Sequence, residues 1–461
     1  MKNIAAILTA LFLALGATTS AQPGSLDGDF DADGKVTTSF GAGDDSGHSV
    51  AIQPDGKIVV AGSAYNGTDH DFALARYNTD GTLDNSFSVD GKVTTAFGIG
   101  EDNGWSVAIQ PDGKIVVAGY AYNFAVREFA IGRYNTDGTL DNSFSVDGKV
   151  TTAFGTGADG WSVAIQPDGR ILVAGYAYNG TDYDFALARY NTDGTLDNSF
   201  SVDGKVTTSF GTGHDYGRSV VIQPNGKILI AGSAYIGTNG DFAIARYNAD
   251  GTLDDSFSVD GKVTTAFGTG TDYGQSVALQ PDGKIVVAGT LLINGTDYDF
   301  ALARYNTDGA LDNSFSVDGK VTTDFGTVSD QAFSVALQPD GRIVVAGLAY
   351  TGSGDDFAVA RYLSGLNIGV IEFSIANNAP LIYPNPLDNH ATLEYTLQNA
   401  ETISIHLLDM QGRTVQTFIE RRVQPAGEHR QSIDLPEALP SGTYLIAISS
   451  PKGKLMVQVV K

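Results

Sequence analysis

The stretch Val50-Ala51-Ile52-Gln53-Pro54-Asp55-Gly56-Lys57-Ile58-Val59-Val60-Ala61-Gly62 decides the fold. Two apolar, β-branched runs flank a turn in which Pro54 presets φ, Asp55 tolerates the second position and Gly56 accepts a left-handed conformation. This predicts a β-hairpin. Ile58 to Ala61 is apolar on both faces, so the sheet holding it is covered on both sides, whereas a lone sandwich sheet would alternate.

The same turn recurs at Gln53, Gln110, Gln166, Gln223, Gln280 and Gln338, at spacings of 57, 56, 57, 57 and 58. A period this long marks stacked supersecondary units. The first unit contains four short strand-like runs: Lys35-Val36-Thr37-Thr38, Ser49 to Gln53, Lys57 to Gly62 and Phe72 to Tyr77. No helix-length apolar period occurs, so the expected fold class is all-β, a six-bladed β-propeller of four-stranded blades followed by a small C-terminal β-sandwich. A β-solenoid is the rival, but its coils are usually shorter and more uniform. If Lys-Val-Thr-Thr is the outer strand, the first copy completes the last blade as a clasp. The loops before Ser-Val and after Val-Ala-Gly then share one rim, and the Pro-Asp-Gly and Asn-Thr-Asp-Gly turns the other.

Composition agrees. Of 461 residues, 56 are Gly and only 14 Pro, which fits many short turns and excludes collagen; 42% hydrophobic residues exclude a disordered chain. A net charge of −25 argues against a nucleic-acid partner, and the absence of Cys removes disulfides and thiol chemistry. Residues 22–363 hold 20 basic and 44 acidic side chains, against 7 and 9 beyond, so the acidity belongs to the repeats.

The expected domains are a signal peptide at 1–21, cleaved after Ala21, the repeats at 22–362, a linker at 363–379 and a β-sandwich at 380–461. The leader's apolar run, Ile4 to Leu15, is too short to span a bilayer permanently, and no later transmembrane segment is expected.

The repeat resembles the delta-60 repeat of bacterial secreted proteins: the quoted stretch is followed by Asp71-Phe72-Ala73-Leu74-Ala75-Arg76-Tyr77 and Gly81-Thr82-Leu83-Asp84-Asn85-Ser86-Phe87. The resemblance implies a β-propeller and supplies no catalytic residue. The C-terminus resembles the type A sorting domain of the type IX secretion system of Bacteroidetes, through Tyr383-Pro384-Asn385-Pro386, Asp409-Met410-Gln411-Gly412-Arg413 and Leu439-Pro440-Ser441-Gly442-Thr443-Tyr444. It implies recognition by that machinery, removal of the tail, and release from the cell or attachment to its surface.

Positions constant in all copies are expected to hold up the blades. Arg76 and Tyr77 recur in every one, and Asp71 or its counterpart is the expected carboxylate partner of the arginine. Just before the constant Ser-Val the copies differ, carrying His48, Trp105, Trp161, Arg218, Gln275 and Phe333. Aromatic, guanidinium and amide groups stack on and hydrogen-bond sugars or peptides, so these six are the candidate ligand-binding rim, with Tyr65, Tyr122, Tyr178, Tyr235 and Tyr350 nearby; aromatics plugging a channel are the alternative. The loops carrying Asp80/Asp84, Asp137/Asp141, Asp193/Asp197, Asp250/Asp254 and Asp308/Asp312 resemble the calcium loop of integrin-type propeller repeats. Arg76 falls where the first acidic ligand belongs, which favours Asx turns over calcium, the one cofactor suggested. Asp29 to Gly34 is a weaker version of the same loop.

No catalytic constellation stands out. Gly47-His48-Ser49 lacks the context of a nucleophile elbow, and His48, His70 and His214 lack zinc-ligand spacing. The expectation is a secreted or cell-surface binding module for an extracellular glycan or protein. An extracellular polysaccharide hydrolase or lyase and a calcium-rigidified scaffold are the alternatives.

Overall fold

In a computed structural model, the described residues are 26–27, 30–32, 34–293, 295–326, 329–338, 341–350, 354–365, 381–383, 390–397, 400–409, 414–435, 439–440, 442–450 and 453–461. The expected signal peptide lies outside them, as does most of the expected linker. The chain is all-β and divides into two compact units, one ending at Val173 with Tyr190–Thr195 added, the other formed by Ala174–Arg189 and Leu196 onward.

The first repeat shows how sequence becomes sheet. Strands β1 (Asp45–Ile52), β2 (Ile58–Tyr65), β3 (His70–Tyr77) and β4 (Lys92–Thr95) form one antiparallel sheet in chain order. The β1–β2 turn closes through Gly56 N–H to Gln53 O at 2.9 Å, with Gly56 at φ 84°, where a side chain would be strained. The pattern continues in β5 (Asp102–Ile109) to β8 (Lys149–Thr152), β9 (Ala158–Ile165) to β12 (Lys205–Thr208), β13 (Asp215–Ile222) to β16 (Lys262–Thr265) and β17 (Asp272–Leu279) to β20 (Lys320–Thr323). The sixth sheet has three strands, β21 (Asp330–Leu337), β22 (Ile343–Tyr350) and β23 (Asp355–Tyr362).

Lys-Val-Thr-Thr is therefore the outer strand of the preceding repeat's sheet in five repeats. Lys35 to Thr38 lies in no strand, and β23 has no outer neighbour among the described residues. Phe357 on β23 is fully exposed where Phe300, its counterpart on β19 (Asp297–Tyr305), is 1% exposed. Val50 on β1 is 62% exposed, against 8% for Val107 on β5. A sheet in this array hides its apolar faces only where another sheet covers it.

Between covered sheets the core is continuous. In the first unit Val59, Phe72 and Leu74 of the first sheet pack with Val107, Ile115 and Val117 of the second, and in the other unit Phe300 and Leu302 pack with Val335 and Val345. Recurrent polar bonds add register. Tyr134 O–H donates to Thr95 Oγ1 of the previous outer strand at 2.9 Å, and Val107 N–H donates to Ser49 Oγ at 3.2 Å. The constant Ser-Val serine is thus a tie between inner strands.

The constant arginine is the strongest tie. Arg76 Nε donates to Asp84 Oδ2 at 2.8 Å, its other nitrogens reach Ser86 and the backbone carbonyl of Thr136 in the next repeat, and its guanidinium lies 4.5 Å from the Phe87 ring centre. Arg133, Arg189, Arg246 and Arg304 reach Thr192, Ala249, Thr307 and Ser364 in the same way. The expected partner Asp71 is corrected to Asp84: Asp71 stands five residues before Arg76 on one strand, hence on the opposite face, and accepts Asn66 Nδ2 at 2.9 Å instead.

The C-terminal domain has two sheets, β24 (Leu381–Tyr383) with β25 (His390–Leu397) and β28 (Gly427–Asp434), and β27 (Thr414–Gln424), β26 (Glu401–Leu408), β29 (Thr443–Ser450) and β30 (Gly453–Val460) in that order. Leu393, Tyr395 and Ile433 of one meet Ile403, Ile405, Leu407 and Ile446 of the other in a single core, which makes the expected sandwich.

Replacing Arg246 by Ala leaves a buried Asp254 short of one cation and the Thr307 carbonyl unpaired. We expect a loss of about 3 kcal/mol in the unfolding of the repeats, read by chemical denaturation of the full chain; an unchanged midpoint contradicts the tie.

Candidate binding face on the inner strands

The variation at the position of His48 has a backbone cause. In the β1–β2 ladder Gly47 pairs with Gly62 and Ser49 with Ala61, so His48 is an extra residue with no cross-strand partner. The same bulge isolates Trp105, Arg218, Gln275 and Phe333 between their neighbours. Trp161 stands in the same Gly-Trp-Ser context on β9. A bulge turns its extra side chain out of the regular alternation and re-aims it. The surrounding glycines are needed: a Cβ on Gly62 would sit 1.8 Å from Ser46 O.

Three of these side chains are brought together. The His48 and Trp105 rings lie 4.1 Å apart, tilted by 37°, and Trp105 and Trp161 stack at 4.5 Å and 15°. Both tryptophans are half-buried and His48 is exposed. Although the residue as a whole is exposed, partial desolvation of its imidazole lowers the His48 pKa and favours the neutral ring at pH 7. The Trp105 Nε1–H is covered and has no hydrogen-bond acceptor.

Arg218 joins a different group. Its guanidinium carbon is 5.7 Å from the ring centres of both Tyr176 and Tyr216, which meet edge to face at 5.0 Å, with Tyr183 5.2 Å from Tyr176. Of the expected rim tyrosines, Tyr178 contacts Tyr183 at 5.3 Å and Tyr235 contacts Tyr216 at 6.4 Å. Phe333 is 48% exposed, and Gln275 is half-buried.

Sequence reasoning missed a polar group on the second sheet. Arg127 lies 4.2 Å from the Tyr120 ring centre and pairs with Asp159 at 3.2 Å, while Asn103 Nδ2 donates to Tyr120 Oη at 2.8 Å. The signal was available, because Asn123 to Glu128 departs from the Asn-Gly-Thr-Asp pattern of other copies.

The loop carboxylates have other work. Asp84 Oδ2 takes Arg76 and, at 2.9 Å, Lys57, while Oδ1 takes Ser86; Asp254 is held by Arg246 and by Lys227 at 2.6 Å, and Asp312 by Arg304 and by Lys284 at 2.8 Å. Asp141 and Asp197 are paired with Arg133 and Arg189, both at 2.7 Å. Asp80 Oδ1 accepts Thr82 N–H at 3.0 Å and the Thr82 hydroxyl at 2.6 Å, and Asp137, Asp193 and Asp250 repeat this; Asp308 accepts Ala310 N–H at 3.0 Å. The outer carboxylates thus accept the amide two residues on, as in an Asx turn, and the deeper ones are paired with side-chain cations. Asp29 and Asp33 lie outside the described residues.

Each of five inner strands opens with an aspartate that sequence reasoning passed over. Asp102 is fully buried and accepts Phe97 N–H at 2.7 Å, and Asp45, Asp215, Asp272 and Asp330 accept the equivalent amide. Burial pushes the pKa up to about 6 at Asp102 and Asp272 and about 7 at Asp215, with Asp71, Asp241 and Asp184 adding like charge.

Family comparison bears on these elements directly. Residues 53–87, 110–144, 166–200, 223–257, 280–315 and 338–367 match the model described as a domain of unknown function (DUF5122) beta-propeller, and 381–461 match the secretion system C-terminal sorting domain. The chain is a DUF5122 β-propeller repeat protein with a C-terminal secretion sorting domain. This sorting domain assigns the repeat protein to the type IX route, hence to secretion or the cell surface. No curated protein sequence matches it. Among solved structures it is similar to PorZ, an essential bacterial surface component of the type-IX secretion system of Porphyromonas gingivalis, at 16% identity and a TM-score of 0.36; the match covers 90% of this chain and about half, 51%, of that one. The polysaccharide lyase Uly1 is 12% identical with a TM-score of 0.37 over 85% of this chain and 90% of that one, and Sqt1 of Chaetomium thermophilum is 15% identical at 0.37 over 69% and 82%.

Of the sorting residues, Tyr444 is buried and its hydroxyl donates to Pro440 O at 2.9 Å, and Gly442 exchanges both backbone bonds with Lys461 at 2.9 Å. Tyr383 O–H donates to Glu394 at 2.5 Å, while Pro384, Asn385, Pro386 and Gly412 lie outside the described residues. Among the described residues no helix is long and apolar enough to cross a membrane.

The two carboxylate populations give opposite pH responses. Between pH 4 and 7 the folded chain holds protons on Asp102, Asp215 and Asp272 that the unfolded chain has released, so stability rises as pH falls through this window. At Asp141 burial is outweighed by Ser143, Lys114 and Arg133, which hold its pKa near 2, so its contribution is lost as pH falls below about 4. Thermal unfolding is expected to peak between about pH 4 and 6; a midpoint that drops steadily from pH 7 to 5 contradicts this assignment.

Proposed function

We propose that this exported repeat protein is a binding module, and that the stacked His48, Trp105 and Trp161 rings are its docking face for an extracellular glycan. The observation that carries this reading is the delivery of three rings by neighbouring inner strands at ring spacings of 4.1 and 4.5 Å. A buried scaffold position has no need of a bulge, and the constant residues around it already supply the packing. Aromatic rings pack against the C–H faces of sugar rings, and the exposed His48 and half-buried tryptophans offer ring surface of this kind. The neutral His48 adds a hydrogen-bonding edge without a charge.

Nothing in this face argues for turnover. The inner-strand aspartates with raised pKa values are fully buried, as Asp102 and Asp215 are, and the serine beside each bulge is tied to the next strand. A charged polymer with many carboxylates or sulfates would also meet a strongly acidic protein, so the ligand class is a neutral or cationic glycan.

Glycan-array binding by the full chain tests this. Trp105→Ala combined with Trp161→Ala is expected to weaken binding about tenfold or more while the unfolding midpoint shifts little. Undiminished binding by a folded double variant, or a preference for peptides over every glycan offered, would refute the docking face or its ligand class respectively.

A further inference from the structure

The bulge of the fourth repeat carries Arg218, a side chain that the docking face does not use. Around it stand Tyr176 on β10 (Ile171–Tyr178), Tyr183 on β11 (Tyr183–Tyr190), Tyr216 on β13 and His214 just before that strand. We infer that Arg218 and His214, framed by these three tyrosines, form a second recognition site, for the single carboxylate of a terminal acidic sugar. The sugar class rests on the glycan reading above, whereas the carboxylate class rests on Arg218 and His214 themselves.

The first argument is placement. Gly217 pairs with Gly232 and Ser219 with Ala231, so Arg218 is the extra residue, and its guanidinium carbon settles 5.7 Å from the ring centres of both Tyr176 and Tyr216. Those two rings meet at 89°, and Tyr183 lies 5.2 Å from one and 5.6 Å from the other. Three rigid rings in mutual contact fix a positive group that stays half-buried. A guanidinium set against aromatic rings keeps its donors in its own plane, the geometry that matches the two oxygens of a carboxylate.

The second argument is a donor of fixed tautomer. Tyr183 N–H donates to His214 Nδ1 at 3.1 Å, so that nitrogen is an acceptor and the ring hydrogen sits on Nε2. His214 is exposed, and its ring centre lies 5.4 Å from that of Tyr183 and 6.0 Å from that of Tyr216. Tyr216 thus has a cation and a neutral N–H donor beside one ring. An anion with two acceptor oxygens suits such a pair, whereas a neutral sugar hydroxyl has no need of a guanidinium.

The third argument comes from comparison within the chain. Serine replaces Tyr176 in two other copies, as Ser63 and Ser233, and replaces Tyr216 in the first, as Ser46, so the fold requires neither ring. Where His214 stands, the first two copies carry Asp44 and Glu101, acids that would repel a carboxylate. The acids of the same segments, Asp182, Asp184 and Asp215, are buried and accept hydrogen bonds from Asn179 Nδ2 or, for Asp215, from the Phe210 amide. One carboxylate at the end of an otherwise neutral glycan escapes most of the repulsion that the acidic repeats impose on a polyanion.

Arg218→Gln makes the test clean, because Gln275 already occupies the same bulge in the next copy. An array of matched glycan pairs, each pair identical except for glucuronic acid or glucose at the terminus, is offered to the full chain at pH 7. The wild type is expected to bind the acidic member of a pair about tenfold more tightly; Arg218→Gln loses that preference and keeps its unfolding midpoint and its affinity for the neutral member. Binding without preference overturns this site alone, and a preference that survives in Arg218→Gln overturns it by placing the carboxylate elsewhere. Binding to no pair at all is failure of the glycan reading, and the site falls with it.

Discussion

A buried guanidinium that belongs to two repeats at once is the constraint on which the array depends. Arg246 is 5% exposed, is neutralised within its own repeat by Asp254 and donates further hydrogen bonds to Ser256 and to the Thr307 carbonyl of the following repeat. A buried charge tolerates little displacement, since losing any one partner exposes the desolvation cost of the others. The pitch from one repeat to the next is therefore held by an interaction with direction, while the apolar faces supply the driving force without specifying register. Sulfur cross-links are absent, and each junction needs its own polar tie in their place.

That rigidity frees the bulge. Flanked by a glycine that permits close approach and a serine bonded to the next strand, the residue at position 48 and its counterparts are the only part of the inner strand outside the ladder. Substitution there costs no backbone pairing, so histidine, tryptophan, arginine, glutamine and phenylalanine all occur on one scaffold. Conversely, a position that is constant among the copies is constant because two neighbours use it. Asp84 serves Arg76, Lys57 and Ser86 together, which is a fuller account of its recurrence than a metal would give.

Much of the architecture was legible because the repeat writes it six times. The Gln-Pro-Asp-Gly hairpin, the all-β class, the doubly covered sheets and the C-terminal sandwich follow from local turn chemistry and period-two patterning. Pairings between distant residues were harder. Arg76 was matched to Asp71 by proximity in sequence, although five residues along a strand reverse the face, an inference available from β geometry alone. The inner-strand aspartates look like any acid in an acidic chain, and only burial distinguishes them. Strand β27 is hard to read because an edge ladder with bulges and long polar side chains, Thr414 to Gln424, lacks the apolar alternation that marks a half-buried strand.

The segment Lys35 to Thr38 illustrates the same limit from the opposite side. Lys35 to Thr38 has the sequence of an outer strand, and Tyr77 O–H reaches Thr38 Oγ1 at 2.7 Å as other tyrosines reach the outer strand before them. The side-chain bond is thus in place while the backbone ladder is not. Sequence identity with β4 specifies what the segment can pair with; it supplies no partner edge. In the five complete sheets, the strand order presents that edge to the outer strand of the same sheet. Strand propensity in this protein is a property of the array, completed at each junction by a neighbour.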